Sequence, residues 1–180
     1  SFNIYARPIV IGFSKFWPQN SLGGWLLDME FTQLEQPIEN TLLEGPGLYT
    51  DPFIRHGFTH KGENLGSVLF SGSNRQTISL AYRTQDSKYA LLFQRINNNN
   101  DFYFYHFSRS GDFRRNWIDL IAGIQWYATL GKRVSINTRL NYNYTLNYRW
   151  EHDLNPEDEY FAPGNDIEQW HGSFSLIYSF

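Results

Sequence analysis

A strict two-residue alternation of apolar and polar side chains runs from Arg133 to Arg149. Such alternation predicts a β-strand with one apolar and one polar face. Strands of soluble proteins average about 5–6 residues, whereas a strand that crosses a bilayer needs about 9–11. The length of this segment therefore favours a membrane-crossing strand over a long strand in a soluble sandwich. The apolar positions are Val134, Ile136, Leu140, Tyr142, Tyr144, Leu146 and Tyr148, with Thr138 among them.

The end of the chain repeats this pattern. Apolar residues recur at every second position before the last residue, and only Ile177 breaks the alternation. This strand resembles the carboxy-terminal signal that the barrel-assembly machinery of bacterial outer membranes recognises. The resemblance implies that the last strand closes a barrel, and that the signal consists of Phe174, Leu176, Tyr178 and Phe180.

Looser alternation predicts five further strands, and the connections between strands alternate in length. Short connections are expected at Phe16–Leu22, Thr84–Ser87 and Thr129–Lys132, and long ones at Pro37–Asn74, Asn97–Arg114 and Trp150–Asp166. Outer-membrane barrels have short periplasmic turns and longer extracellular loops. The first predicted strand lies within Phe2–Phe13, where Pro8 suggests a strand start or a bulge.

Seven crossings result, and complete bacterial single-chain barrels have an even number. We therefore predict an all-β, antiparallel transmembrane β-barrel, of which residues 1–180 form the carboxy-terminal portion of one barrel domain. The aromatic run Phe102–Phe107 offers an eighth strand. That strand would move Pro37–Asn74 to the periplasmic side, so we place the run in an extended outer loop instead.

Composition supports this class of protein and argues against others. Aromatic and charged residues each make up 18% of the chain, and no apolar run approaches the length of a membrane-spanning helix. The mean hydropathy of −0.50 suits a barrel, in which lipid-facing and lumen-facing residues average out. The absence of cysteine excludes disulfides and thiolate metal sites. A net charge of −3 gives no basic field for a nucleic-acid partner.

The order of segments resembles a known family. The stretch His56–Gly66 contains Gly62-x-x-Leu65-Gly66, and the strand-turn-strand region Ile78–Ile96 and the Asn-rich segment Asn97–Asn100 follow it. Together with the three closing strands, this resembles the carboxy-terminal part of the capsule assembly protein Wzi family. The resemblance implies a bacterial outer-membrane barrel of about eighteen strands, within the known bacterial range. It also implies a lectin-like role in holding surface polysaccharide, with membrane lipid and lipopolysaccharide as neighbours.

The expected outer loops carry the side chains that such a role needs. Aromatic rings offer flat faces to sugars, and Arg forks suit carboxylate or phosphate groups. An alternative is that these side chains only pack the loops or pair at the barrel rim. His56 and His60 are four residues apart, the spacing that two metal ligands have on one face of a helix. Gly57 and the lack of a third ligand nearby argue against a metal site, so we predict none. The candidate ligand-binding residues are Tyr49, Arg55, His56, Phe58, His60, Lys61, Arg109, Arg114 and Arg115.

Polar residues on the other face of the strands are expected to line the barrel lumen. Barrel interiors are polar by default, so a porin or channel for small solutes is the alternative function. A barrel lipase or deacylase would need His171, Ser173 and Glu168 together, but alternation puts Glu168 on the opposite face. We therefore predict no catalytic residue, no enzyme activity and no cofactor. The expected lumen residues are Asp28, Glu30, Arg83, Asp119, Asn137, Arg139 and Asn141.

Overall fold

The structure, a computed structural model, describes residues 8–20, 22–36, 59–60, 63–64, 69, 71–107, 116–131, 133–150 and 165–178. One helix, α1 (Asn100–Phe107), and one 3-10 turn (Tyr148–Trp150) accompany the strands in these ranges. None of the helices described there has the length and apolar character to span a bilayer. The strands are β1 (Ile9–Asn20), β2 (Gly23–Gln33), β3 (Thr59–His60), β4 (Glu63–Asn64), β5 (Asn74–Thr84), β6 (Ser87–Asn97), β7 (Ile118–Leu130), β8 (Val134–Leu146) and β9 (Ile167–Tyr178).

Seven of the strands form one antiparallel sheet in the order β1-β2-β5-β6-β7-β8-β9. Every strand therefore pairs with its neighbour along the chain, apart from the short β3–β4 hairpin, which stands outside this sheet. The prediction of an all-β, antiparallel chain with seven long strands is confirmed. The sheet is open, with β1 and β9 as its edges.

The connections separate into two kinds at opposite ends of the sheet. At the turn end, β1–β2, β5–β6 and β7–β8 are joined by two or three residues each. At the loop end, the chain runs from residue 34 to 73, from 98 to 117 and from 147 to 166 between strands. The predicted alternation of short and long connections is therefore present. The strands that they join are 11–13 residues long.

One local prediction was wrong. The first short connection is not Phe16–Leu22, because β1 continues to Asn20 with Trp17 paired to Trp25. Pro18 lacks a backbone donor, and β1 tolerates it as an edge strand in which a register shift follows Pro18. The short connection is confined to residues 21–22.

The aromatic run Phe102–Phe107 lies in the long connection between β6 and β7, as predicted, and there it forms most of α1 rather than an eighth strand. Asn99 begins the helix: its side-chain oxygen accepts a hydrogen bond of 3.2 Å from the Phe102 backbone N–H. Asp101 lies in the first turn and His106 in the last, which suits the helix dipole at both ends. Tyr103 is 1% exposed and anchors α1 in the loop end.

The strand register gives the sheet one apolar and one polar face. Cα pairing aligns apolar positions across neighbouring strands, as in the series Leu27, Leu80, Leu91, Ile124 and Leu140. Many of these side chains are exposed, including Ile124 at 55% and Phe93 at 58%. Three charged residues of the strands lie on this face: Lys15, opposite Leu27 on the edge strand, and, nearer the loop end, Arg95 opposite Leu120 and Glu168 opposite Tyr144. We call this surface the apolar face and the opposite one the polar face.

Aromatic side chains form a continuous row on the apolar face near the turn end. Cα pairing links one residue from each of the seven strands, and only the β8 member, Thr138, is not aromatic. The rings of Trp25 and Tyr82 meet edge to face with centroids 5.1 Å apart. The row consists of Trp17, Trp25, Tyr82, Tyr89, Trp126, Thr138 and Phe174.

Close backbone approach at the first turn requires glycine. A Cβ at Gly24 would lie 2.3 Å from the Trp17 carbonyl oxygen and 2.9 Å from Pro18 Cα, so β1 itself would have to move. We expect Gly24→Ala to lower the unfolding free energy by about 1–3 kcal/mol through overpacking. The matched control is Gly172→Ala, where the new Cβ would meet Leu140 Cδ1 at an ordinary 3.8 Å. Equal urea midpoints for the two variants in detergent would contradict the expectation.

Candidate functional site

The polar face carries charges of both signs. Arg75 forms an ion pair of 2.5 Å with Glu30, and the Ser14 hydroxyl donates a hydrogen bond of 2.6 Å to Asp28. These residues and Arg139 line a depression of about 700 Å³ to which the strands from β1 and β2 through β5–β8 all contribute. The acidic positions lie on β2 and Arg139 lies on β8, so opposite charges face the same space from different strands.

All seven residues expected to line a lumen lie on the polar face. The register pairs Asp28 with Ser79, Asn137 with Ser175 and Asn141 with His171, all on one side of the sheet. Near the loop end, Asp119 accepts hydrogen bonds from the Asn98 amide at 2.8 Å and the Thr145 hydroxyl at 2.5 Å. The alternation of residues along the strands accounts for the polar character of this face. The seven are Asp28, Glu30, Arg83, Asp119, Asn137, Arg139 and Asn141.

A cluster of aromatic rings lies at the loop end. The ring of Trp150 is 4.5 Å from Phe102 of α1 and 5.2 Å from Trp117, whose ring is 5.4 Å from Tyr148, centroid to centroid. The exposed Arg149 places its guanidinium carbon 5.1 Å from the Tyr148 ring centroid. We call Phe102, Trp117, Tyr148 and Trp150 the aromatic cluster. It combines three segments that meet only in the folded chain.

The backbone beside this cluster is held in an uncommon conformation. Asn147, Arg149 and Trp150 have φ values of 50°, 56° and 59°, in the left-handed region that bulky residues seldom adopt. Asp166 holds the segment in place, because its carboxylate accepts a 3.1 Å hydrogen bond from the Asn147 backbone and one of 2.8 Å from the Tyr144 hydroxyl. Such strain persists only where the surrounding structure enforces it, and it is often found at functional sites.

A second group of polar side chains joins the ends of β2, β5 and β6 to α1. Asn74 and Asn100 donate side-chain hydrogen bonds to Glu35, and the Gln36 backbone N–H donates one of 3.0 Å to Asp101. The Asn100 backbone N–H in turn donates to the Gly72 carbonyl at 2.6 Å. We call Glu35, Gln36, Asn74, Asn97, Asn100 and Asp101 the loop-end hub.

The two carboxyl groups of the hub have pKa values close to neutral pH. Burial raises the pKa of Glu35 to about 7, and the negative charge of Asp101 acts in the same direction. A hydrogen bond from Asn100 and the charge of Arg95 oppose this rise in the Glu35 pKa. Burial also raises the pKa of Asp101 to about 6, against the hydrogen bond from the Gln36 backbone. Taking a carboxylate out of water favours its neutral form, and a nearby like charge adds to that effect.

Of the predicted ligand-binding residues in the outer loops, the structure describes only the backbone of His60. His60 belongs to β3, where its backbone pairs with Glu63. Within the described ranges no group of three or more His, Asp and Glu side chains is arranged to hold a metal ion. Outside the described residues lie Tyr49, Arg55, His56, Phe58, Lys61, Arg109, Arg114, Arg115 and the terminal Phe180.

The described residues of the expected assembly signal and of the rejected catalytic set lie on β9. Phe174, Leu176 and Tyr178 of the expected assembly signal lie together on the apolar face, each at least 50% exposed. His171 and Ser173 lie on the polar face, and Glu168 pairs with Tyr144 on the apolar one.

No family model, curated protein or solved structure matches this chain. The resemblance to the capsule assembly family therefore remains an expectation. Sequence reasoning missed both the aromatic cluster and the loop-end hub. The one signal was the density of tryptophan and asparagine in the loops, at Trp117, Trp150 and Asn97–Asn100.

Proposed function

We propose that this chain is part of the wall of a bacterial outer-membrane β-barrel that holds surface polysaccharide at its loop end. The observation that carries the membrane part is the apolar face. It extends across seven strands of 11–13 residues, long enough to cross a bilayer, with its large apolar side chains exposed. Soluble proteins seldom expose apolar patches of more than a few hundred Å², and they do so mainly at binding sites.

The aromatic row and the two ends of the sheet support the same proposal. Barrels of this class carry aromatic girdles where the apolar band meets the interfacial region of the membrane. The row from Trp17 to Phe174 lies near the turn end, where a periplasmic girdle belongs. The loop end, with its long connections, then faces the cell exterior.

The polysaccharide role rests on the aromatic cluster and on the resemblance. Ring faces and a charged Arg149 at the loop end are the side chains that recognise sugar rings and their acidic substituents. Phe102 is 37% exposed and Arg149 is also exposed, so both are accessible to a ligand. The sequence adds Arg55, Lys61, Arg114 and Arg115 as further candidate ligand-binding residues in the long connections.

Alanine variants of the loop end test this role. We expect Arg149→Ala and the combined Arg55, Lys61, Arg114 and Arg115 alanine variant to bind purified acidic polysaccharide more weakly. Hydrogen bonds to charged groups contribute about 1.5–3 kcal/mol, so each lost contact should weaken binding roughly tenfold or more. Phe102→Ala should weaken binding to a smaller extent. The measurement is retention of labelled polysaccharide by cells and by the purified protein.

Polar-face variants provide the control. Asn137→Ala and Arg139→Ala should leave polysaccharide binding unchanged, and all variants should keep normal barrel assembly, because exposed charges contribute little to stability. Retention of all polysaccharide by the loop-end variants, with a phenotype only in the polar-face variants, would contradict the proposed role.

A second candidate function is passage of small solutes, and the polar-face depression favours it. Opposed charges at Glu30, Asp28 and Arg139 on facing walls resemble the transverse charges expected at a porin constriction. In that case Arg139→Ala should change single-channel conductance or ion selectivity in planar bilayers, which the polysaccharide role does not require.

A further inference from the structure

Three buried side-chain oxygen atoms of the loop-end hub lack a hydrogen-bond partner among the described residues. They are Asp101 Oδ2, Gln36 Oε1 and Asn97 Oδ1. Gln36 and Asn97 are only 8% and 7% exposed. Buried polar atoms in folded proteins are nearly always paired, so three unpaired oxygens in one hub call for a physical reason.

The residues that carry these oxygens are joined by contacts within the hub. Gln36 is bound to Asp101 through its backbone N–H, and it follows Glu35 directly in the chain. Asn97 pairs with Asn74 across β5 and β6, so both side chains leave the same face of the sheet, and the Asn74 amide contacts Glu35. Glu35, Gln36, Asn97 and Asp101 are therefore neighbours where the ends of β2 and β6 meet α1.

The hub holds little positive charge to balance its carboxylates. Arg95 is near enough to act on Glu35, but its guanidinium donates its hydrogen bonds to Asn74 and Gln76, at 3.3 and 2.9 Å. No ion pair between Arg95 and either carboxylate is present among the described residues. Buried like charges require protonation or a cation. Hard divalent cations prefer this ligand set, since Ca²⁺ binds carboxylates together with amide and backbone carbonyl oxygens.

We propose that the loop-end hub binds Ca²⁺ through the carboxylates of Glu35 and Asp101 and the side-chain oxygens of Gln36 and Asn97. The ion would fasten α1 and the end of β2 to the sheet, beside the aromatic cluster. Water or backbone carbonyls would complete its coordination, as is common for Ca²⁺. The site does not depend on the proposed polysaccharide role, because it requires only the hub.

Calcium binding to the intact, membrane-purified protein in detergent tests this proposal. Titration with CaCl₂ alone, followed by calorimetry at pH 8, should reveal one site with a dissociation constant on the order of 0.1–1 mM, the range of extracellular calcium modules. Millimolar CaCl₂ should raise the melting temperature by several degrees relative to EDTA, since a ligand that binds only the folded state stabilises it.

Neutral variants separate a calcium site from a purely structural cluster. Glu35→Gln and Asp101→Asn should lose the calcium-dependent rise, yet in EDTA they should melt no lower than the wild type, because each removes a buried charge. The matched control Asp86→Asn, an exposed acid in the turn between β5 and β6, should keep the full rise. Absence of calcium binding by the wild type, or an unchanged rise in both hub variants, would overturn the proposal. The calorimetric titration of the wild type decides the matter even if a variant fails to fold.

Discussion

Replacing Leu140 with arginine should lower the unfolding free energy of the membrane-inserted protein by about 2–4 kcal/mol, the cost of a cation on the lipid face near the bilayer midplane. Leu140 lies on the apolar face, 41% exposed, with Ile124 opposite it on β7 and Gly172 opposite it on β9. The position is in the middle of β8, and a new charge there has no polar neighbour among its paired residues. Urea unfolding in lipid vesicles measures the loss.

A matched arginine on the polar face isolates the effect of the membrane. Ser79 lies in the middle of β5 on the polar face, where it pairs with Asp28 of β2. Ser79→Arg therefore adds the same charge near the middle of a strand, opposite an acid and away from lipid. We expect it to cost far less than Leu140→Arg in vesicles. Equal costs for both would mean that the apolar face is not in contact with lipid, and the barrel proposal would fail.

The strands were predictable because apolar and polar residues alternate along them, strictly on β8 and with one exception, Ile177, on β9. On β8 and β9 the residue-by-residue period of two survives in the structure, so the same side chains that define the pattern define the faces. The helix α1 was not predictable in this way. Its run of aromatic residues has the composition of a strand. A local contact favours the helix instead: the Asn99 side chain accepts a hydrogen bond from the Phe102 backbone N–H and so caps the first turn.

The loop-end features were beyond sequence reasoning for a different reason. Gln36 and Asp101 are 65 residues apart in the chain, and Trp117 and Trp150 meet only because β7 and β8 return to the same end of the sheet. No short motif marks either contact. By contrast, the polar-face residues could be assigned, because alternation alone places Asn137, Arg139 and Asn141 on one side.

The open edges of the sheet limit how a barrel can be completed. Six antiparallel steps separate β1 from β9, so the two edge strands run in the same direction. Pairing them directly would create a parallel contact, unlike the all-antiparallel, even-stranded barrels of bacterial outer membranes. An antiparallel closure therefore needs an odd number of additional strands between β9 and β1.

Residues 1–180 alone should not form a monomeric, heat-modifiable barrel in detergent or lipid. Both edge strands, β1 and β9, are 12 residues long, and each would leave its outward backbone N–H and C=O groups without partners in hydrocarbon. Each such group costs several kcal/mol, so even a handful would exceed a typical folding free energy of about 5–15 kcal/mol. Semi-native electrophoresis and sedimentation of the refolded chain should show aggregates or edge-to-edge oligomers. The protein purified from its native membrane, treated identically, should migrate as a folded species that shifts on heating. A heat-modifiable monomer from residues 1–180 would mean that β1 and β9 close the sheet on themselves, and that the extra strands are not needed.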